Sequence, residues 1–173
     1  MTVVPESFTG YFAAGASAAA ALVGLLFVAI SLRPASIVGE TAVPGAQALA
    51  GSTFTSLVNA FFLSFTALLP GINLGYPAVT LAVICLYHTF RLHRHLSRSE
   101  AHPVLLLLSL AAFGTQLVEG VLLTLNGRSS AVLDAMAYLV VASFAVALSR
   151  AWALMQGRHV QEAAALPSPP DGR

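Results

Sequence analysis

The stretch FTGYFAAGASAAAALVGLLFVAISL, residues 8–32, decides the fold. It runs 25 residues without a charged side chain, longer than the roughly 20 residues a helix needs to cross a hydrocarbon core about 30 Å thick. Arg33-Pro34 ends it. Four more apolar runs follow: residues 46–69, stopped by the helix-breaking pair Pro70-Gly71; residues 72–90; residues 103–125; and residues 131–155. The third is interrupted by Asn73, Gly75 and Pro77, so a short helix starting at Pro77 is expected, with Arg91 reaching back to the interface. The chain therefore reads as all-α: a polytopic membrane helix bundle of five transmembrane helices.

Composition agrees. Hydrophobic residues make up 57% and charged residues 9%, against roughly 25% charged in an ordinary soluble domain. Residues 1–156 read as one transmembrane domain. Residues 157–173, ending LPSPPDGR, read as a disordered cytoplasmic tail, too rich in Pro and polar residues to bury apolar surface. A net charge of +1 gives no reason to expect nucleic acid or an acidic partner. All eight basic residues are Arg and Ala is heavily used, as in GC-rich bacterial coding sequence. Cys85 has no second cysteine with which to form a disulfide. The residues before the first run carry Glu6 and no basic side chain, and the run exceeds a 7–15-residue signal core, so it is read as a span.

Cytoplasmic loops carry the Arg excess. If all five runs cross, Arg33, Arg91, Arg94, Arg98, Arg150, Arg158 and Arg173 share one side, and Arg128 stands on the other. Were the third run not to cross, Arg91, Arg94 and Arg98 would land opposite Arg33. This asymmetry predicts five spans, the N-terminus outside, the C-terminus cytoplasmic, and Arg91, Arg94 and Arg98 against anionic lipid headgroups. Trp152 reads as an interface anchor beside Arg150.

Lipid tails are as apolar as Leu, so helices associate in a bilayer by close packing and hydrogen bonding. The first run sets small residues four apart, Gly15 with Ala19 and Ala16 with Ala20 and Gly24, which suits a helix at the bundle centre or at a subunit interface. At about 100° per residue, Ser52, Thr55, Ser56, Asn59, Leu63 and Thr66 form one stripe on the second helix. That stripe fits a polar path, or hydrogen-bond glue in which Ser and Thr bond their own preceding turn.

Glu119 lies in the fourth run, with Thr115 and Gln116 one turn earlier and Gly120 leaving room beside it. A carboxyl there costs of order 2.5–3.5 kcal/mol on insertion scales, so it should face inward and have a partner. Asn59, the Tyr138 hydroxyl and Arg128 are the candidates. It reads as a proton or cation site, or as a protonated structural anchor. Asp134, near the start of the fifth helix, suits the outer mouth and its favourable helix dipole.

His88, His93, His95 and His102 cluster at the cytoplasmic end of the third run and in the loop that follows, without metal-site geometry. His88 and His95 lie about 10.5 Å apart along one helix, too far to share a zinc held at about 2.1 Å. No nucleophile elbow, paired carboxylates or phosphate-binding glycine loop is present. Neither enzymatic activity, nor a metal, nor a cofactor is therefore expected.

The segment AAAALVGLLFVAISLRP, residues 18–34, followed by a second helix ending ALLPG at residues 67–71, resembles a group of small bacterial multi-span membrane proteins with a G-L-L-F-V-A-[IL]-S core in the first helix. The resemblance implies an inner-membrane protein of about this size and topology and carries over no active site. The expected function is an oligomeric channel or small transporter, its path lined by Ser52, Thr55, Ser56, Asn59, Thr66, Gln116 and Glu119 of the second and fourth helices. The expected partners are the lipid bilayer and further copies of the chain. A scaffold or accessory subunit bound to another membrane protein through the first helix is the alternative. Reporter fusions after Arg94 and after Asn126 should report opposite faces of the membrane, Arg94 on the cytoplasmic one; the same face for both would overturn the five-span topology.

Overall fold

The computed structural model describes residues 4–32, 44–94, 103–126 and 130–164. Among these residues the regular structure is entirely helical: α1 (Glu6–Leu32), α2 (Pro44–Ala67), α3 (Gly75–Arg94), α4 (Pro103–Asn126) and α5 (Ser130–Ala164). Helices α1, α2, α4 and α5 are each long and apolar enough to cross a membrane. The side chains are distributed inside out relative to a soluble protein: Phe27, Val28, Leu107, Val118, Leu125 and Leu148 are exposed, while Thr53, Asn59, Ser64, Gln116 and Arg150 are buried. That is the arrangement lipid imposes, because apolar side chains are at home against acyl chains and polar ones need protein partners.

Local signals set the helix ends. Pro44 and Pro103 open α2 and α4, where a missing N–H costs nothing. After α2 the chain tightens, Leu68 N–H bonding Phe65 O and Leu69 N–H bonding Thr66 O, then turns at Gly71 with φ of 77°, a left-handed conformation that glycine adopts without strain. Asn73 Oδ1 accepts the Gly75 N–H at 2.9 Å, an N-cap that starts α3 two residues earlier than the expected start at Pro77. Pro77 sits in the first turn, where it is tolerated.

Helix α3 is 20 residues long, about 30 Å at 1.5 Å per residue; unlike its neighbours it is not apolar enough to count as a span by composition, so four of the five expected spans meet both length and hydropathy. Helix α5 continues to Ala164, past Gly157 where the tail was expected to begin. Gln, Arg, Glu and Ala in this last part favour helix. Residues 165–173 lie outside the described residues, as do Arg33, His95, Arg98, His102, Arg128 and Arg173.

Helices α2, α3, α4 and α5 form a ring, each packed against its two neighbours, and α1 lies outside it against α2 with a smaller contact to α5. Among the described residues the α2 and α4 backbones do not pack together, nor do those of α3 and α5, so each pair faces the other across the bundle. The α3–α4 contact depends on two glycines. A Cβ at Gly120 would lie 2.9 Å from Val79 N, and one at Gly75 would lie 2.7 Å from Gly120 O. The space beside Gly120 is thus filled by the α3 backbone. Between α1 and α2, a Cβ at Gly15 would lie 2.9 Å from Ser64 Oγ. Phe12, Ala16 and Ala19 are buried on the same part of α1, whereas Ala20 and Gly24 are exposed. Tyr11 adds a hydroxyl hydrogen bond to Ala137 O at 2.5 Å, tying α1 to α5.

Gly120→Leu should lower stability in detergent by ~1–3 kcal/mol, the usual scale of overpacking. Gly114→Leu, with nothing within 4 Å of its Cβ position, should leave the thermal midpoint nearly unchanged.

Candidate functional site

The polar stripe of α2 spends its protons on its own backbone. Ser52 Oγ donates to Leu49 O at 3.0 Å, Thr55 Oγ1 to Gly51 O at 2.9 Å, Ser56 Oγ to Ser52 O at 3.0 Å and Thr66 Oγ1 to Phe62 O at 2.7 Å. Each hydroxyl keeps lone pairs free, so the outward face of the stripe is a row of acceptors. Thr53, Oγ1 to Leu49 O at 2.8 Å, and Ser64 are also buried on α2, outside the expected stripe.

A face of acceptors suits a group that can only donate, and α5 supplies one. Arg150 is 2% exposed, with Nη1 donating to Ser52 O at 3.3 Å and Ser56 Oγ at 3.2 Å, and Nη2 donating to Ser109 Oγ at 2.5 Å. It thereby ties α2, α4 and α5 together. Charge pattern alone places Arg150 with the cations of the cytoplasmic surface. Its position says otherwise: Leu133, Met136, Val140, Ser143 and Ala147 are buried at alternating spacings of three and four, and Arg150 is the next residue in that series. Trp152, two residues on, is exposed.

Deeper in the ring Asn59 and Gln116 form a reciprocal amide pair. Asn59 Nδ2 donates to Gln116 Oε1 at 2.7 Å, and Gln116 Nε2 donates to Asn59 Oδ1 at 3.1 Å and to Ala78 O at 3.2 Å. Both side chains are fully buried. They join the facing helices α2 and α4 by side chains alone, with α3 contributing a carbonyl.

Glu119 is 9% exposed, and its Oε2 has no hydrogen-bond partner among the described residues. Two expected partners are elsewhere, Asn59 bonded to Gln116 and Tyr138 76% exposed; Arg128 lies outside the described residues. Thr115 and Asp134 are exposed. Along α4, Ser109, Gln116 and Glu119 span about 15 Å at 1.5 Å per residue, half the thickness of a hydrocarbon core. The interior therefore carries a polar column with Arg150 toward the Arg-rich end, the amide pair next, and Glu119 beyond it.

At the Arg-rich end a cavity of about 70 Å³ opens between α2 and α3, lined by Gly51, Ser52, Thr55, His88, Thr89 and Leu92. Arg91 and Arg94 are exposed nearby on α3, and the Arg94 guanidinium lies 5.8 Å from the Phe90 ring centroid, a cation–π distance. Of the expected path residues, the structure brings Ser52, Ser56, Asn59 and Gln116 into direct or bridged contact and places Glu119 one turn beyond. Thr55 lines the cavity, while Thr66 stands apart, half-buried.

Fold and site together define an α-helical membrane bundle with a buried polar column. Compared with known proteins, the chain matches no family model, no curated protein and no solved structure.

Replacing either Asn59 or Gln116 by Leu should cost ~1–3 kcal/mol, because the remaining amide is buried unsatisfied. The double variant should cost clearly less than the sum of the two, a coupling measurable by a double-mutant cycle in detergent.

Proposed function

We propose that the protein is a transporter or channel of a bacterial inner membrane, carrying a small solute along the column formed by Arg150, Asn59, Gln116 and Glu119. The observation that carries this reading is the burial of both Arg150 and Glu119 in the interior of a lipid-facing bundle. Ionisable groups are costly at such depth and are characteristic of ion and proton pathways. Chemistry divides the roles. Arg150 keeps its charge, and Glu119 takes up and releases a proton as solute passes. The Asn59–Gln116 pair lies between them as the barrier, closed while its two amides bond each other and open when they turn to the solute. The reading includes no catalysis and no cofactor.

Five helices enclose little space alone, so we further propose that copies of the chain associate through α1. Its side chains Ala14, Ser17 and Ala21 are exposed together with Gly10 and Gly24, and small residues at such spacing allow close helix approach. The same face serves the second reading, a scaffold or accessory subunit seated on another membrane protein. Crosslinking in native membranes separates the two by yielding self-multimers or a stoichiometric foreign partner.

In liposomes, Glu119→Gln, which removes the titratable carboxyl and keeps its shape, should reduce flux by at least about tenfold, the factor of ~1.4 kcal/mol, and Asn59→Leu should change it as well. Flux unaltered in both variants, or absent from the wild type, would overturn the transport reading.

A further inference from the structure

Helix α4 packs against α3 and α5. Gly120 turns toward α3, and Glu119, about 100° round the helix, stands on the edge toward α5. The bond between Ser109 and Arg150 sets the register of α4 against α5, so ten residues further along α4 Glu119 comes level with Val140. Met136, Leu139, Val140 and Ser143 are buried there. Toward the Arg-rich end, Asn59 and Gln116 hold each other and Ala78 O. Toward the other end, Leu74, Leu123, Leu133 and Met136 belong to one buried apolar cluster that lies between Glu119 and the end of the bundle.

Among the described residues no charged side chain faces Glu119. On α5, Asp134 and Tyr138 are exposed, and Arg150 lies about 15 Å away along the axis. On α3, Tyr76 is exposed, and Cys85 and His88 lie seven and ten residues beyond Ala78 toward the Arg-rich end. Helix α2 has no titratable side chain. Oε2 of Glu119 is buried without a hydrogen-bond partner among the described residues. A bare carboxylate so placed is far costlier than a neutral group, so a bound cation must neutralise it. A metal ion demands a shell, about six to eight oxygens for calcium and a near-ideal octahedron for magnesium. Beside the carboxyl itself, the side-chain oxygens of the adjoining turns belong to Asn59 and Gln116, which accept from each other, and to Ser143, whose hydroxyl closes onto Leu139 O at 2.9 Å. A proton needs no shell.

We infer that Glu119 is an occluded binding site for a proton that excludes metal cations, loaded from the Arg-poor end of the bundle past Leu123 and Leu133. Entry from the opposite end meets the fixed charge of Arg150 and then the amide pair, whereas the Arg-poor end is closed by apolar side chains alone. The seam between α4 and α5 is the one to open there, because α3 and α4 are locked by backbone contact at Gly75 and Gly120. This deepens the transport reading by naming the coupled ion and its side of entry, and rests on that reading only for the claim that a solute moves with it.

Dicyclohexylcarbodiimide, a lipid-soluble reagent, tests for the protonated carboxyl. The O–H adds across one C=N bond, oxygen to carbon and proton to nitrogen, and acyl transfer to nitrogen then fixes an N-acylurea with no atom lost. With purified protein in neutral detergent at neutral pH, peptide mass spectrometry should find the adduct on Glu119. It should be lost in Glu119→Gln and lost as the pH is raised. Sodium, potassium, calcium or magnesium chloride replacing choline chloride at constant ionic strength should leave it unchanged. A water-soluble carbodiimide should spare the wild type and label Glu119 in Leu123→Ala, or in Leu133→Ala should the first not fold, but not in Phe113→Ala, which loosens packing on the Arg-rich side of Gln116. The thermal midpoint gives a second readout. A protonated folded state holds one proton more than an unfolded state with an ionised carboxyl, so the wild type should lose stability relative to Glu119→Gln as pH rises. Midpoints that run parallel with pH, no adduct from the lipid-soluble reagent, protection by any of the metal ions, or equal labelling of the wild type by both reagents overturns the inference. So does a site opened to the water-soluble reagent by Phe113→Ala and not by the leucine variants. A proton site without flux removes the transport reading and leaves Glu119 as assigned; flux with Glu119 unlabelled and no pH effect does the reverse.

Discussion

Every polar group inside this bundle must find its partner in protein, because acyl chains offer none. Helix α2 meets that demand first within itself, its Ser and Thr hydroxyls closing onto carbonyls one turn back, and the oxygens left over define what may pack against it. A guanidinium from α5 and an amide from α4 are the groups that fit. The ring of α2, α3, α4 and α5 closes around these bonds, and the glycine contacts of α3 with α4 bring the remaining wall near enough to add the Ala78 carbonyl to the amide pair. Remove the acceptor row of α2 and both the guanidinium and the amide would face hydrocarbon at a cost of several kcal/mol each.

The two polar layers differ in how tightly they are held. The amide pair is reciprocal and fully buried, joined by two hydrogen bonds of 2.7 and 3.1 Å with a third of 3.2 Å to Ala78 O. Around Arg150 one short bond to Ser109 contrasts with two long ones to α2. In low dielectric, long bonds from a permanent charge to neutral oxygens leave interaction energy unrealised. Glu119 sits beyond both, its Oε2 buried without a partner among the described residues.

Much of this was legible in the sequence. Length and hydropathy identified the helices, since a 25-residue uncharged run has few alternatives. The stripe from Ser52 to Asn59 was found by angular spacing, and the structure turns it inward as the solvent argument requires. Other features escaped because they depend on partners. The start of α3 turned on a side-chain bond from Asn73 that outweighs Pro77 as a boundary signal. Gln116 was marked as a neighbour of Glu119, yet it is the amide across the ring that engages it. Arg150 was grouped with surface cations because positive-inside bias counts charges near helix ends without asking which face they occupy. The three-four spacing from Leu133 to Ala147 carries the inward direction that charge placement does not.

The attachment of Arg150 to α2 and α4 also bears on how the chain is made. Helices leave the ribosome in order, and α5 follows both elements that receive its guanidinium. Until α2 and α4 face each other across the ring, the Arg150 guanidinium, two residues from the end of the apolar stretch Ala131–Trp152, has no oxygens to meet and stays toward water. Docking of the fifth helix into the ring, rather than its insertion, is therefore the step that waits on the second and fourth.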